Sequence, residues 1–304
     1  MKKFIVCTTI NPPTLAIEKY DTMAGWCLIV VTDKKTPGNY KLQNGIVLNP
    51  DDQIKMSSEL SDLIGWNSIQ RRNFGLLYAI NSGADLICTV DDDNIPLDNW
   101  GKEIYINKND YFKQYLTDEL VFDPIGATEY KSLWHRGFPL ELIPDRVYDN
   151  SQSALITPDI QANFWNGDPD IDAICRLEHR PNCIFGDDEF PFTSNQISPF
   201  NSQNTILNTK AAKDYFLFPH VGRMDDIWAS YYLMSKGHTV VYGNATVFQD
   251  RNEHDLIEDM KKEYLGYENN LNLVRDLKLN PENIMKYLPE RTVQAWNVYK
   301  KLLK

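Results

Sequence analysis

The stretch LICTVDDDNIPLDNW, residues 86–100, joins an apolar run to three consecutive aspartates, Asp91, Asp92 and Asp93. An apolar run rich in β-branched residues predicts a strand buried on both faces of a mainly parallel sheet. Adjacent carboxylates repel one another unless a positive charge lies among them. Residues 91 and 93 of an extended segment point to the same side, and carboxylate oxygens suit Mg²⁺ or Mn²⁺. The stretch therefore predicts either a divalent-metal site at a strand end or a solvated acidic turn.

Two earlier apolar runs, residues 3–9 (KFIVCTT) and 25–32 (GWCLIVVT), have the same character as the run before Asp91. A helical repeat over residues 68–82 precedes that run, and Gly83 is placed to end the helix. Strands that alternate with helices predict an α/β fold.

The second half of the chain gives weaker signals. Residues 100–200 are rich in Pro, Asp, Asn and aromatic residues and have poor periodicity, which indicates functional loops. Beyond them we expect helices over residues 209–216 and 224–236, a pair of strands over 238–249, and helices from about 255 onward. The simplest organisation is one domain, residues 1–255, with a helical C-terminal extension, residues 256–304, packed on it.

Composition narrows the class of protein. The 304 residues include no run approaching the roughly 20 apolar residues of a membrane span. The apolar run after the first lysines, Phe4 to Cys7, is too short for a signal peptide, so we expect a cytoplasmic protein. Five cysteines without a C-x-x-C spacing suggest neither a zinc site nor a disulfide framework. A net charge of −11 disfavours a broad footprint on nucleic acid, although a local basic groove stays open.

Polar residues follow the other predicted strands as well. Thr8, Thr9 and Asn11 come after the first strand, and Asp33 comes after the second. Ligands of open α/β sheets bind beyond the carboxyl ends of the strands, so these residues and the three aspartates are expected at one rim.

Arg71 and Arg72 precede the third strand on the predicted helix. Either guanidinium could fork onto the oxygens of a diphosphate. The alternative is that a residue of this pair lies on a solvated helix face.

Two later motifs carry further carboxylates. In FWNGDPDIDAICRL, residues 164–177, Asp172 suits a helix start, whereas Asp168 and Asp170 suit either a turn or the recognition of sugar hydroxyls, with Trp165 as an apolar platform. In HVGRMDDIWASYYLMSKG, residues 220–237, Asp225 and Asp226 are either helix caps or a base for an acceptor hydroxyl.

His254 follows the late strand region. It is either a third metal ligand, a phosphate contact or a structural histidine.

Six segments in order resemble the STELLO-type glycosyltransferases of the GT-A fold, a group similar to the reversibly glycosylated polypeptides that act as UDP-arabinopyranose mutases. The resemblance covers about residues 3–260 and rests on WCLIVVTDKKTP, TVDDDN, NGDPDIDAICRL, SPFNSQNT, GRMDDIWASYY and QDRNEHDL. Six ordered motifs are more specific than a lone aspartate triplet.

The resemblance implies a role for each candidate residue. It implies a Rossmann-like half in which UDP contacts Thr8, Thr9, Asn11 and Asp33, with Arg71 near the diphosphate. Asp91 or Asp92 would contact the ribose or sugar, while Asp93, with Asp91 and His254, would bind Mn²⁺ or Mg²⁺. The donor sugar and acceptor would meet Asp168, Asp170, Asn201, Gln203 and Arg223. Asp225 or Asp226 would be the base of an inverting reaction.

Three functions follow as hypotheses. The first is a metal-dependent glycosyltransferase that moves a sugar from a nucleotide diphosphate, UDP by resemblance, to a hydroxyl-bearing acceptor of unknown class. The second is a UDP-sugar mutase that interconverts arabinopyranose and arabinofuranose without an acceptor. The third is a non-catalytic protein that binds nucleotide sugars.

Overall fold

The computed structural model describes residues 1–249 and 255–304. Within these ranges eleven strands form one sheet: β1 (Lys3–Thr9), β2 (Cys27–Thr32), β3 (Ile46–Leu48), β4 (Leu86–Asp91), β5 (Asn94–Pro96), β6 (Asp110–Tyr115), β7 (Ser151–Ile156), β8 (Ile160–Gly167), β9 (Phe192–Ser194), β10 (Asn204–Asn208) and β11 (Val240–Gln249). The spatial order is β3-β2-β1-β4-β10-β8-β11-β9-β6-β7, and β5 pairs with β11.

Helices cover the sheet and occupy its flank. They are α1 (Leu15–Asp21), α2 (Pro50–Met56), α3 (Ser58–Ile64), α4 (Arg72–Asn81), α5 (Ala173–His179), α6 (Thr209–Asp214), α7 (Asp225–Ser235), α8 (Leu256–Leu279) and α9 (Glu290–Leu302). Short 3-10 turns occupy Ile69–Arg71, Leu140–Asp145, Gly222–Met224 and Pro281–Lys286. No helix in the two described ranges combines the length and the apolar character that crossing a membrane requires.

The first half of the sheet is parallel. Strands β3, β2, β1 and β4 lie side by side in the order 3-2-1-4, which is the order of a Rossmann-like nucleotide-binding half. Their side chains are buried on both faces because helices cross over the sheet between successive strands. Gly75 lets α4 approach closely, since a Cβ there would lie 2.4 Å from Cγ1 of Val6. The predicted α/β fold class and the predicted first three strands are confirmed.

The second half of the sheet is mixed. Strand β10 is antiparallel to both β4 and β8, whereas β8 and β11 are parallel. The predicted pair of strands over residues 238–249 is wrong, because residues 240–249 form the single strand β11. The pairing of β11 with β8 shifts register between Gly243 and Val247, and the strand continues on both sides of this irregularity.

The C-terminal residues are helical, as predicted. Helix α8 packs against α5, α7 and the turn at Gly222–Met224, and α9 packs against α3. Trp296 of α9 lies between two rings of the main body, with centroids 5.1 Å from Phe218 and 4.9 Å from Tyr232. The division at residue 255 stays a prediction.

Candidate active site

Two adjoining cavities flank the aspartate triplet at the carboxyl edge of β1, β2 and β4. The first has a volume of about 300 Å³ and is lined by residues that include Thr8, Thr9, Asn11, Asp33, Arg71 and Asp92. The second has a volume of about 260 Å³ and is lined by residues that include Asp91, Asp93, Arg136, Gln203, Arg223, Asp225 and Asp226. Ile69 borders both. Asp91 and Asp93 border the second cavity and Asp92 borders the first, although β4 ends at Asp91 and residues 92 and 93 form a turn rather than the predicted extended segment.

Neutral donors hold the carboxylates of the first cavity. Oδ2 of Asp92 accepts hydrogen bonds from Oγ1 of Thr9 at 2.5 Å and from Nδ2 of Asn11 at 3.0 Å. Oδ2 of Asp33 accepts from the backbone N–H of Ser68 at 3.2 Å. Both carboxylates are therefore oriented by hydrogen bonds from residues near the ends of neighbouring helices and strands. The donors in these hydrogen bonds are uncharged.

Arg71 is buried in a structural network. Its Nε donates to Oε1 of Gln53 at 2.7 Å, and its Nη1 donates to Oγ of Ser61 at 3.0 Å. Its guanidinium carbon lies 3.7 Å from the centre of the Trp66 ring. Burial lowers the pKa of Arg71 to about 10, although Asp33 opposes the shift. The predicted contact of Arg71 with a diphosphate stays a prediction.

Arg72 is the positive charge among the three aspartates. Its Nη2 donates to Oδ1 of Asp91 and, at 3.0 Å, to the carbonyl of Val90, while its Nη1 donates to the carbonyl of Ser202 at 2.8 Å. Burial alone would lower the pKa of Arg72, but the charge of Asp91 outweighs it and raises that pKa further. The alternative that Arg71 or Arg72 lies on a solvated helix face is wrong, because both side chains are buried.

A second arginine organises the other cavity. Arg136 donates from Nε and Nη2 to the two oxygens of Asp170, both at 2.9 Å. It also donates from Nη1 and Nη2 to the two oxygens of Asp226, at 3.0 Å and 3.1 Å. All three residues are buried. We call this group, Arg136 with Asp170 and Asp226, the arginine clamp.

The arginine clamp gives the adjacent carboxylates of Asp225 and Asp226 different pKa values. Burial would raise the pKa of Asp226, but the charge of Arg136 and its hydrogen bonds outweigh burial and hold that pKa below its ordinary value. Asp225 has no such partner, because its described side-chain hydrogen bond comes from Nε2 of Gln70 at 2.8 Å. Burial and the neighbouring charge of Asp226 raise the pKa of Asp225 to about 7. Asp225 is thus the carboxylate that can exchange a proton near neutral pH.

The residues of the second cavity fit the divalent metal that the resemblance implies. Oε1 of Gln203 is buried and has no hydrogen-bond partner among the described residues, and it shares this cavity with Asp91 and Asp93. Two carboxylates and an amide oxygen are hard ligands that suit Mg²⁺ or Mn²⁺. Within residues 1–249 and 255–304, no three His, Cys, Asp or Glu side chains form a ligand cluster. The predicted ligand His254 lies outside the described residues.

The remaining predicted residues surround the clamp. Asn201 donates from Nδ2 to Asp170 at 2.9 Å, and Asp168 pairs with Arg176. Arg223 borders the second cavity and donates from Nε to Oε1 of Glu263 at 2.8 Å.

Two predictions from the DPDID motif have opposite outcomes. Asp172 caps α5 as predicted, with its side chain accepting from the backbone N–H of Cys175 at 2.8 Å. Trp165 is not an apolar platform for a sugar, because only 3% of it is exposed and it packs against Phe164 and Phe185.

Three residues of the site were missed from the sequence. Arg136 lies in the aperiodic stretch whose poor periodicity indicated functional loops, and that was the available signal. Gln70 directly precedes Arg71 and Arg72, which the sequence analysis selected as candidate diphosphate contacts. Glu263 lies in the C-terminal extension, where a charged residue on a helix indicates only a solvated face.

Comparison with curated proteins finds two relatives from Arabidopsis thaliana, named probable glycosyltransferase STELLO1 and probable glycosyltransferase STELLO2. Each is 25% identical over 229 residues, which is 69% of this chain and 30% of the relative. The predicted resemblance to the STELLO-type glycosyltransferases is confirmed. The match spans about a third of the length of these relatives. No family model matches the chain.

Solved structures of Mycobacterium tuberculosis glucosyl-3-phosphoglycerate synthase are also similar to the chain. A complex with phosphoglyceric acid has a TM-score of 0.45 at 11% identity, and covers 95% of this chain and 81% of that chain. A complex with Mn²⁺, UDP-glucose and glycerol 3-phosphate has a TM-score of 0.45 at 10% identity, with the same coverage.

Proposed function

We propose that the chain is a divalent-metal-dependent glycosyltransferase that moves a sugar from a UDP-sugar to a hydroxyl acceptor. The observation that carries the proposal is the arrangement of the second cavity, where Asp91 and Asp93 share one space with Asp225. Two candidate metal ligands and a carboxylate able to take a proton thereby border the same volume. The similarity to two probable glycosyltransferases supports the same reaction class.

The nucleoside of the donor occupies the first cavity in this proposal. Asp92 is held by Thr9 and Asn11 so that its carboxylate can accept from a ribose hydroxyl. Asp33 lies at the end of β2 and borders the same cavity, where its carboxylate can accept from an N–H of the base. Because Ile69 borders both cavities, the diphosphate would pass beside the aspartate triplet into the second.

Asp91, Asp93 and Gln203 would hold Mn²⁺ or Mg²⁺ in the second cavity. When bound, the ion acts as a Lewis acid that neutralises the negative charge developing on the leaving diphosphate. Arg72 orients Asp91, since a buried guanidinium donates directly to that carboxylate. The protein therefore supplies fixed, charged ligands at the point where the donor's phosphates lie.

Asp225 is the base in an inverting transfer. Its carboxylate takes the proton of the acceptor hydroxyl as the new bond forms between the acceptor oxygen and the anomeric carbon. The bond from that carbon to the diphosphate oxygen breaks, and the electron pair leaves with the nucleoside diphosphate. Asp226 does not compete for this role, because Arg136 holds both of its oxygens.

The experiment is a thermal-shift panel of UDP, GDP, CDP and several UDP-sugars, each with and without Mn²⁺. A ligand that binds the folded state raises the melting temperature by mass action. We expect a shift with UDP or a UDP-sugar that requires Mn²⁺ and is lost in Asp93→Ala. The matched control is Asp51→Ala, which removes an exposed carboxylate from α2 and should keep the shift.

Two results would contradict the proposal. Absence of a shift with every nucleotide would exclude a nucleotide-sugar donor, and sugar transfer that proceeds equally without a divalent ion would exclude the metal. Chromatography of UDP-arabinose after incubation tests the alternative reaction, because a mutase changes the ring form without any acceptor.

A further inference from the structure

A third cavity lies away from the aspartate triplet, between β6 and the segments 126–131 and 143–151. Its volume is about 570 Å³, and it shares no lining residue with the two cavities of the candidate active site. Small-molecule sites typically enclose about 300–1,000 Å³. The proposed transfer reaction makes no use of this space, so it is available to a different ligand.

The walls of the third cavity are held in place by specific interactions. Oε2 of Glu189 accepts from Nζ of Lys113 at 2.5 Å and from the hydroxyl of Tyr115 at 2.9 Å. Nη1 of Arg146 donates to the carbonyl of Leu133 at 2.7 Å and to the carboxylate of Asp123. The first pair of contacts joins β6 to the loop at Glu189, and the second joins Arg146 to the segment 123–133, so the cavity is a built feature of the fold.

The charges of the lining indicate the chemical class of the ligand. Three basic and three acidic side chains border the cavity: Lys113, Lys131 and Arg146, and Glu129, Asp149 and Glu189. Lys113 and Arg146 already have carboxylate partners, so a strongly charged ligand would compete with those partners. A hydroxyl group suits such walls, because it can donate to a carboxylate and accept from an ammonium group at once.

Aromatic side chains complete the lining. Tyr148 is half-buried and borders the cavity, whereas the ring of Tyr115 lies 6.3 Å behind it at 64°, is buried, and meets the cavity wall through its hydroxyl, which donates to Glu189. Aromatic rings offer apolar surface beside a polar tip, which matches a ligand whose hydroxyls alternate with C–H groups. We propose that the third cavity binds a neutral oligosaccharide at a site separate from the transfer centre.

A buried carboxylate connects this cavity to the arginine clamp. Asp123 is fully buried and accepts from Arg146 of the cavity wall and, at 3.0 Å, from the backbone N–H of His135. The next residue in the chain is Arg136, which holds Asp170 and Asp226. Arg146 of the cavity wall and the short segment that carries the clamp therefore share one buried hydrogen-bond acceptor.

The test is saturation-transfer difference NMR of the full chain with maltotetraose, cellotetraose, xylotetraose and arabinotetraose, without nucleotide. The blocking variant is Ser151→Trp, because Ser151 borders the cavity from β7 and an indole there takes up part of its volume. The matched control is Gln152→Trp, since the next residue of the strand points to the opposite face and is also exposed. Circular dichroism and the melting temperature verify that both variants fold.

We expect at least one tetrasaccharide to give a saturation-transfer signal. Ser151→Trp should weaken its binding at least about tenfold by obstructing the cavity, and Gln152→Trp should leave it within about twofold. The double variant Lys113→Met with Glu189→Gln removes the ion pair at constant net charge and should also weaken binding about tenfold.

Absence of signal from all four tetrasaccharides would overturn the inference. Binding that survives Ser151→Trp would overturn it too, because the sugar would then occupy another site. The Mn²⁺-dependent UDP shift is measured on the same proteins and reports on the first two cavities. Failure of the oligosaccharide site and failure of the proposed transferase are thereby separate outcomes.

Discussion

Arg136→Met removes the guanidinium that two buried carboxylates share. Asp170 and Asp226 each lose two charge-assisted hydrogen bonds of 2.9–3.1 Å, and methionine supplies no donor in their place. Removing one partner of a buried ion pair typically costs about 3–5 kcal/mol, because the remaining charge stays buried without compensation. We expect the free energy of unfolding at pH 7 to fall by about that amount.

The loss depends on pH with a predictable sign. In the wild type the folded-state pKa of Asp226 is lowered, so its stabilising contribution is present above the unfolded pKa and is lost as pH falls through the folded pKa. Without Arg136, burial is unopposed and raises the pKa of Asp226, so the folded variant binds a proton that the unfolded chain has released. The deficit of the variant should then shrink on acidification, by about 1.4 kcal/mol for each pH unit over which one extra proton is held.

Urea unfolding followed by tryptophan fluorescence at pH 5 and pH 7 measures both effects. The control is Arg275→Met, because Arg275 is exposed on α8 and its described side-chain hydrogen bond goes to Asn272 at 3.3 Å. That variant should change stability by less than about 0.5 kcal/mol at either pH. A deficit for Arg136→Met below about 1 kcal/mol, or one that is larger at pH 5 than at pH 7, would refute the reasoning about the clamp.

Three further variants test the remaining parts of the site and fold. Asp225→Asn should lower kcat by about 10²–10⁴-fold while UDP binding persists. The wild-type kcat should rise with pH through about 7 as Asp225 loses its proton. A pH–rate profile unchanged by the substitution would contradict this role of Asp225. Asp93→Ala should weaken Mn²⁺ binding, measured by electron paramagnetic resonance of the free ion, at least about tenfold; unchanged Mn²⁺ affinity would remove Asp93 from the ligand set. Trp296→Ala should destabilise the whole chain by about 3–5 kcal/mol in a single transition, because the indole is buried between α9 and the main body; an early transition confined to the extension would show that the extension unfolds alone.

The parallel half of the fold was predictable because its signals are local. Strands β1, β2 and β4 are continuous apolar runs, and α4 repeats apolar residues at helical spacing. The position of the candidate site at one rim of the sheet was predictable from the same strands, since polar residues that follow successive parallel strands meet at one edge. The division of Asp91, Asp92 and Asp93 between two cavities needs more than strand geometry, because β4 ends at Asp91 and the next two residues form a turn.

The properties of Asp225 and Asp226 were not predictable, because distant residues decide them. Arg136 is 90 positions away from Asp226 and holds both of its oxygens, while Gln70 is 155 positions away from Asp225. Two adjacent aspartates in a sequence have the same ordinary pKa. Their difference arises only when the fold brings a guanidinium to one and burial with an amide to the other. The prediction of two strands over residues 238–249 was wrong for a related reason, since β11 pairs with the distant strand β8 on both sides of its register shift.

The C-terminal extension supports the site through buried carboxylates of α8, chiefly that of Glu263. Glu263 of α8 accepts from Nε of Arg223 at 2.8 Å and from the backbone N–H of Ala173 at 2.7 Å. The carbonyl of Arg223 in turn accepts from Nη1 of Arg136, so a continuous series of contacts runs from α8 to the clamp. The division at residue 255 therefore separates segments of sequence, whereas the second cavity depends on both. Glu263 is fully buried, and its loss would leave the guanidinium of Arg223 with a more distant carboxylate partner, Asp259 at 3.4 Å. The wall of the second cavity that faces the proposed acceptor would then be held less firmly.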